Sequence, residues 1–189
     1  MTQKNTRFGL VSSFDLYRKL KHDAKALLRK RPENDEEKII EEYEAFNFFV
    51  TAWHLHKDWL GNATISKPVH SCEKITIAHP ALKEVRHAMR DIANGSKHIT
   101  LTEEPKISVG QREISSWDSY LFGAQYPIET KTHHFLMNEF VYLILAYFEW
   151  IFDDSAAMIV PSLITERLKK AKELRIARDN IAGIAKNSD

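Results

Sequence analysis

Apolar side chains recur every three or four residues over most of the chain, which is the period of an α-helix. The pattern is interrupted at residues typical of turns and helix ends: Pro32, the Gly61-Asn62 pair and the Asn94-Gly95 pair. Five helices are therefore predicted, over residues 12–31, about 34–60, 80–94, about 133–154 and from 161 onward. Residues 61–79 are predicted to form an irregular connection.

Between residues 98 and 130 the apolar positions change to alternation, which is typical of β-strands. The alternating pairs are Ile99 and Leu101, Ile107 and Val109, Tyr120 and Phe122, and Tyr126 and Ile128. We therefore expect a mainly α fold, a bundle of about five helices with a small antiparallel β insertion at about residues 98–130. Since domains commonly contain about 100 to 200 residues, residues 1–189 are expected to form a single domain.

Charge and cysteine content narrow the class of protein. A formal net charge of +1 gives no whole-molecule field that would attract nucleic acid, so any basic site must be local. The single cysteine, Cys72, cannot form an intrachain disulfide, which favours a reducing compartment.

The longest apolar run, Phe140–Phe152, has 13 residues and contains Glu149, whereas about 20 apolar residues span a membrane. The first residues, MTQKNTRFGLV, lack the apolar stretch of a secretory signal, so a cytoplasmic protein without membrane contact is expected.

A line of short polar side chains runs along the second predicted helix, which is otherwise apolar almost all round. Asn47, Thr51, His54 and Asp58 are spaced by four, three and four residues, so they share one helix face. Because unsatisfied buried polar groups are costly, this line must be hydrogen-bonded or hydrated. Three interpretations are compatible with the pattern: a buried hydrogen-bonded network that fixes helix packing, a narrow strip of the helix exposed to solvent, and part of a functional site. His56 projects about 180° from His54 and is not expected to share its partners.

The end of the third predicted helix carries the densest polar chemistry in the chain, RHAMRDIANGSKH over residues 86–98. Arg86, Arg90 and Asn94 follow one another on one helix face, with Lys97 and His98 at the break. Cationic side chains can hold a phosphate, and a nearby imidazole can transfer a proton near neutral pH. Cleavage of RNA through its own 2′-hydroxyl needs these groups and neither metal nor cofactor. In the structural alternative, the two arginines pair with acids of the second helix, Asn94 and Gly95 cap the third helix, and His98 opens a strand.

The combination of Arg90, Asn94 and His98 in a helical protein resembles the arginine-polar-histidine signature of HEPN domains. That family consists of helical bundles, often dimeric, that act as metal-independent ribonucleases in bacterial toxin and defence systems. Seven residues separate Arg90 from His98 here, more than in the family pattern, and Asp91 follows the arginine. The resemblance implies RNA as substrate and a homodimer that places two copies of Arg90 and His98 in one cleft. The strings TAWHLHKDW and DIANGSKH are also similar to small bacterial proteins of unassigned activity.

Two other functions are compatible with the same sequence. The aromatic-rich helices, in a chain with four Trp and ten Phe, would give a non-enzymatic binding or oligomerisation protein a packing surface. The fifth predicted helix, with its regular apolar stripe and mixed charges, is then the candidate dimer element. In the other function, His54 and Asp58 share a metal with a residue of the fourth predicted helix or with His98.

Overall fold

Helices make up most of the structure, a computed structural model that describes residues 10–29, 35–60, 71–95, 108–110, 126–153 and 160–186. Those ranges contain six α-helices: α1 (Ser13–Arg29), α2 (Asp35–His54), α3 (Cys72–Ala78), α4 (Leu82–Gly95), α5 (Met137–Phe152) and α6 (Val160–Lys186). A π-helical turn at Leu55–Trp59 directly continues α2. The prediction of a mainly α fold is confirmed.

Three short strands form one antiparallel sheet: β1 (Ser108–Val109), β2 (Pro127–Glu129) and β3 (His134–Leu136). β2 lies in the centre and pairs Ile128 with Val109 on one side and with Phe135 on the other. The small antiparallel insertion predicted from the alternation at Val109 and Ile128 is therefore confirmed. The strands predicted near residues 99–101 and 120–122 lie outside the described residues.

The start of α5 differs from the prediction, which began this helix four residues earlier, at residue 133. β3 occupies most of that stretch, because Phe135 is buried and pairs with the equally buried Ile128 across the hairpin. The helix then begins at Met137, and the Glu139 carboxylate accepts a hydrogen bond from the Leu136 N–H (N–Oε2 3.4 Å). Burial within the sheet thus overrides the helical period of the first residues.

A short helix, α3, forms within the segment predicted to be irregular. It begins after Ser71, whose Oγ accepts a hydrogen bond from the Glu73 N–H at 3.2 Å. A serine in this position satisfies one of the N–H groups that have no partner within the helix. Ile75 is 2% exposed and anchors the helix to the core. One cap and one anchor are too weak a pattern for periodicity to detect.

The hydrophobic core is built mainly by α1, α2, α4 and α5, with α6 packed on α5. Phe140 and Phe148 of α5 are fully buried. Between helices, Tyr17 of α1 stacks on Phe152 with ring centroids 4.9 Å apart, and Phe49 of α2 lies 5.8 Å from Phe140. These rings hold α5 in the centre of the bundle. Although α5 is rich in apolar residues, none of the helices described is both long and apolar enough to cross a membrane.

Candidate functional site

Two of the four predicted catalytic residues, Arg90 and Asn94, lie one turn apart near the C-terminal end of α4. The Arg90 guanidinium contacts Asp91 Oδ1 through Nε and Nη2, each at 2.8 Å. The arginine therefore pairs with its neighbour in the chain rather than with the acids of α2. Lys97 and His98, the other two predicted catalytic residues, lie outside the described residues.

The pairing with Asp91 leaves part of the Arg90 guanidinium available to an anion. An arginine carries five N–H donors, and the contacts with Asp91 use the two nitrogens named above. The Arg90 side chain is 29% exposed, whereas that of Asp91 is 7% exposed. The buried carboxylate thus holds the guanidinium in one orientation while its other donors stay within reach of solvent. Such a pre-oriented fork is well suited to a phosphate group.

The polar line predicted on α2 separates into distinct groups in the structure. Thr51 is buried, and its hydroxyl accepts from Lys19 Nζ at 2.8 Å and donates to Asp23 Oδ2 at 3.1 Å. Both partners belong to α1, so this part of the line is a hydrogen-bonded network that fixes the packing of α1 on α2. Asn47 is exposed to solvent. The structural interpretation therefore accounts for these two positions.

His54 and Asp58 form the contact that their spacing predicts, with Nδ1 and Oδ2 2.6 Å apart. Their side chains are 41% and 45% exposed, so water screens the pair. Within the described ranges, no three His, Cys, Asp or Glu side chains are grouped closely enough to hold a metal ion. The contact orients the imidazole at the surface of the helix.

A different histidine, His56, faces the interior from the π-helical turn after α2. Its Nδ1 lies 3.0 Å from the hydroxyl oxygen of Tyr147 on α5, and Tyr147 is 1% exposed. The centroid of the Trp53 ring lies 5.8 Å from that of the imidazole. Burial, together with the positive charge of Arg86, lowers the pKa of His56 from 6.5 to about 4, so the imidazole is neutral at neutral pH. Sequence reasoning excluded His56 from the His54 pair but did not identify this contact.

Arg86 supplies the positive charge beside that imidazole. It lies on α4 one turn before Arg90. Its Nε is buried and has no hydrogen-bond partner, and no carboxylate among the described residues forms an ion pair with it. An unsatisfied buried donor costs about 1–3 kcal/mol, and more when it belongs to a charged group. Arg86 therefore carries an unused buried donor, and His56 and Tyr147 bring a neutral imidazole and a hydroxyl together from two parts of the chain.

Glu84, at the start of the same helix, has a structural role. Its carboxylate accepts from the hydroxyls of Thr130 (2.6 Å) and Thr132 (2.8 Å) in the β2–β3 turn, and His133 Nδ1 lies 3.4 Å away. Burial raises the pKa of Glu84, but the hydrogen bonds from the two threonines and the contact with His133 outweigh it and bring the pKa below its ordinary value. The cluster fastens the hairpin to α4.

An apolar cavity of about 320 Å³ lies between α2, α4 and the sheet. Phe46, Phe49 and Ile92 are among the residues that line it. Tyr126 and Glu42 also line it, and the tyrosine hydroxyl donates to Glu42 Oε1 at 2.8 Å. Cavities of this size accommodate a small molecule or a single side chain. Most of the side chains that line the cavity are apolar, so it suits the binding of an apolar group better than catalysis.

Comparison with known proteins does not assign a role to any of these residues. No protein-family model, no curated protein and no solved structure matches the chain. The described residues therefore offer four features for a function: Arg90 and Asn94 at the end of α4, the His56–Tyr147 contact, the unpaired Arg86 Nε, and the apolar cavity.

Proposed function

We propose that this protein is a metal-independent ribonuclease of the HEPN type that acts in the cytosol. The observation that carries the proposal is the Arg90 guanidinium, which Asp91 holds in one orientation near the end of α4. Asn94 lies one turn further along the same helix, and Lys97 and His98 follow within four residues of it in the chain. A helical bundle is also the fold that the HEPN resemblance implies.

In the proposed reaction, the 2′-hydroxyl oxygen of RNA attacks the adjacent phosphorus and the bond from phosphorus to the 5′-oxygen breaks. His98 takes the proton of the 2′-hydroxyl as a general base or gives a proton to the departing 5′-oxygen as a general acid, and water carries out the other proton transfer. Arg90 and Lys97 stabilise the negative charge that develops on the phosphoryl oxygens. Asn94 orients the imidazole or the phosphate. The products are a 2′,3′-cyclic phosphate and a free 5′-hydroxyl.

Purified protein is expected to cleave total RNA in the presence of EDTA, because the proposed chemistry uses side chains alone. The measurement is the appearance of shorter fragments on a denaturing gel, with a DNA strand of matched sequence as control. DNA should remain intact, since it has no 2′-hydroxyl to act as the nucleophile. RNA that stays intact, or cleavage that EDTA abolishes, would refute the proposal.

We also propose that the working unit is a homodimer in which α6 contributes to the interface. Arg175 of α6 pairs with Glu129 of β2 at 2.8 Å, which holds the helix against the sheet. Ile176 and Ile181 follow on α6 and are 51% and 68% exposed. A second copy of the chain would cover them.

Light scattering after size-exclusion chromatography should therefore give the mass of two 21.9 kDa chains. Replacing both Ile176 and Ile181 by glutamate should give a folded monomer, because each glutamate would be desolvated in the interface. The matched control is Ile77→Glu on α3, where the isoleucine is 73% exposed, and this variant should remain dimeric. A wild-type protein that is strictly monomeric at all concentrations would rule out the dimer.

The apolar cavity supports a second candidate function, non-enzymatic binding. Its volume of about 320 Å³ and its apolar lining suit an apolar group of a small ligand or a partner. The Tyr126–Glu42 hydrogen bond supplies the polar contact that such sites use for orientation. A folded protein that leaves RNA intact and binds an apolar fluorescent probe, with the binding abolished by Ala45→Trp, would favour this function over cleavage.

A further inference from the structure

The apolar cavity between α2, α4 and the sheet carries a carboxylate at its opening. Phe49, Ile128 and Met137 line it and are 3%, 1% and 5% exposed, so they form its floor. Glu42 and Val109 line it as well and are exposed to solvent, which places them at the opening. A ligand that fills the cavity therefore has an apolar end inside and meets a carboxylate at the end that faces solvent.

The face of α2 that borders the cavity changes from charged to apolar along its length. Glu42, Ala45 and Phe49 are spaced by three and four residues, so they lie on one side of the helix. From Glu42 to Phe49 the helix makes about two turns and rises about 10 Å. This wall thus runs from a charged residue in contact with solvent to a buried aromatic ring.

Tyr126 holds the Glu42 carboxylate and leaves one of its oxygens unused. The tyrosine hydroxyl donates to Glu42 Oε1 at 2.8 Å. Within the part of the chain that the structure describes, no lysine, arginine or histidine forms an ion pair with Glu42, so Oε2 is able to accept from a ligand. A carboxylate oxygen in this position favours a cation that donates an N–H group.

The charge of the lining distinguishes among apolar ligands. The described residues that line the cavity include one carboxylate, that of Glu42, and no lysine, arginine or histidine. Phe46 and Tyr126 add two partly exposed aromatic rings, and the faces of such rings attract organic cations. An apolar carboxylic acid would instead bring a second negative charge beside Glu42. The lining therefore suits a cation better than an anion.

We propose that the cavity binds a small organic amine, with the apolar group of the amine inside and its ammonium on Glu42 Oε2. This inference rests on the binding function proposed for the cavity and names its ligand class. A volume of about 320 Å³ holds about ten non-hydrogen atoms, since a water molecule occupies about 30 Å³ in the liquid. Burial of the apolar group supplies most of the affinity, because an ion pair exposed to solvent contributes little by itself. The carboxylate supplies the preference for a cation.

The test is an NMR titration of protein labelled with ¹³C at the methyl groups of isoleucine and methionine. Ile92, Ile128 and Met137 line the cavity and report binding there. Ile75 and Ile164 are buried elsewhere in the core and should not respond. Three probes of similar shape are compared: 2-phenylethylamine, which is protonated at neutral pH, 2-phenylethanol, which is uncharged, and phenylacetate, which is an anion.

2-Phenylethylamine should bind about three to ten times more tightly than 2-phenylethanol, because it gains one charge-assisted contact at an exposed site. Phenylacetate should bind least tightly. Glu42→Gln keeps an acceptor for the Tyr126 hydroxyl and removes the charge, so the amine and the alcohol should then bind within about twofold of each other. The matched control is Glu36→Gln, which removes an exposed carboxylate of α2 that does not line the cavity and should keep the wild-type preference.

The proposal is overturned if the three probes bind the wild type with equal affinity, or if the preference for the amine persists in Glu42→Gln. If 2-phenylethanol nevertheless binds and Ala45→Trp abolishes its binding, the cavity keeps its binding function and only the ligand class is refuted. If none of the probes shifts the methyl signals of the cavity, the ligand class and the binding function both fail.

Discussion

His98→Ala is expected to lower the rate of RNA cleavage by about 100- to 10,000-fold, the range typical for loss of a general acid or base. The alanine variant keeps the phosphate-binding cations and loses the group that moves the proton. Affinity for RNA should therefore change much less than the rate. The measurement is the initial rate of fragment formation from a labelled oligonucleotide, under conditions in which enzyme exceeds substrate.

Variants of Arg90 separate charge from geometry in the same assay. Arg90→Lys preserves the positive charge but cannot form the two contacts with Asp91, so the cation is no longer held in one orientation. It should retain only a small part of the wild-type rate, and Arg90→Ala less still. Lys83→Ala, on the exposed face of the same helix, serves as the control. Cleavage that is unchanged in His98→Ala would trace the activity to a contaminating nuclease and refute the assigned role.

Local periodicity was sufficient to predict the helices because each one buries a stripe of its own residues. α4 shows this most clearly: Leu82, Val85 and Met89 have the spacing of one helical face, and all three are buried. The predicted start of α5 was wrong because the position of Phe135 is compatible with the helical period and equally with a strand. Its contact with Ile128 across the hairpin decides between the two, and such a contact is not visible in a local window.

The candidate sites show the same division between near and distant partners. His54 and Asp58 were predicted to meet because four residues separate them on a helix, and they do. The contact of His56 with Tyr147 joins residues 91 positions apart and depends on a π-helical turn, which a constant rotation of 100° per residue does not contain. The packing of α5 against the end of α2 creates this cluster, so only the folded structure reveals it.

The fold should lose stability on mild acidification because His56 is held neutral in the interior. Its pKa is about 4 in the folded protein and near 6.5 in the unfolded chain. Between these values the unfolded chain binds the proton and the folded protein does not, so acid favours unfolding. The stabilisation is fully present above about pH 6.5 and is lost progressively as the pH falls toward about 4. Allowing for the partial exposure of the ring, we expect the free energy of unfolding to be about 1–2 kcal/mol lower at about pH 5 than at about pH 7.

Urea denaturation at the two pH values measures this difference, and His56→Asn isolates the contribution of the imidazole. The asparagine cannot take up the proton but still offers Tyr147 a hydrogen-bond partner where Nδ1 lay, so the variant should lose most of the dependence on pH. The matched control is His22→Asn, which makes the same substitution at a histidine whose side chain is 83% exposed. Glu84 does not interfere, since its pKa is lowered and its stabilising effect is lost only below its ordinary value near 4.5. Equal pH dependence in the wild type and in His56→Asn would show that the imidazole is already charged, or freely hydrated, in the folded protein.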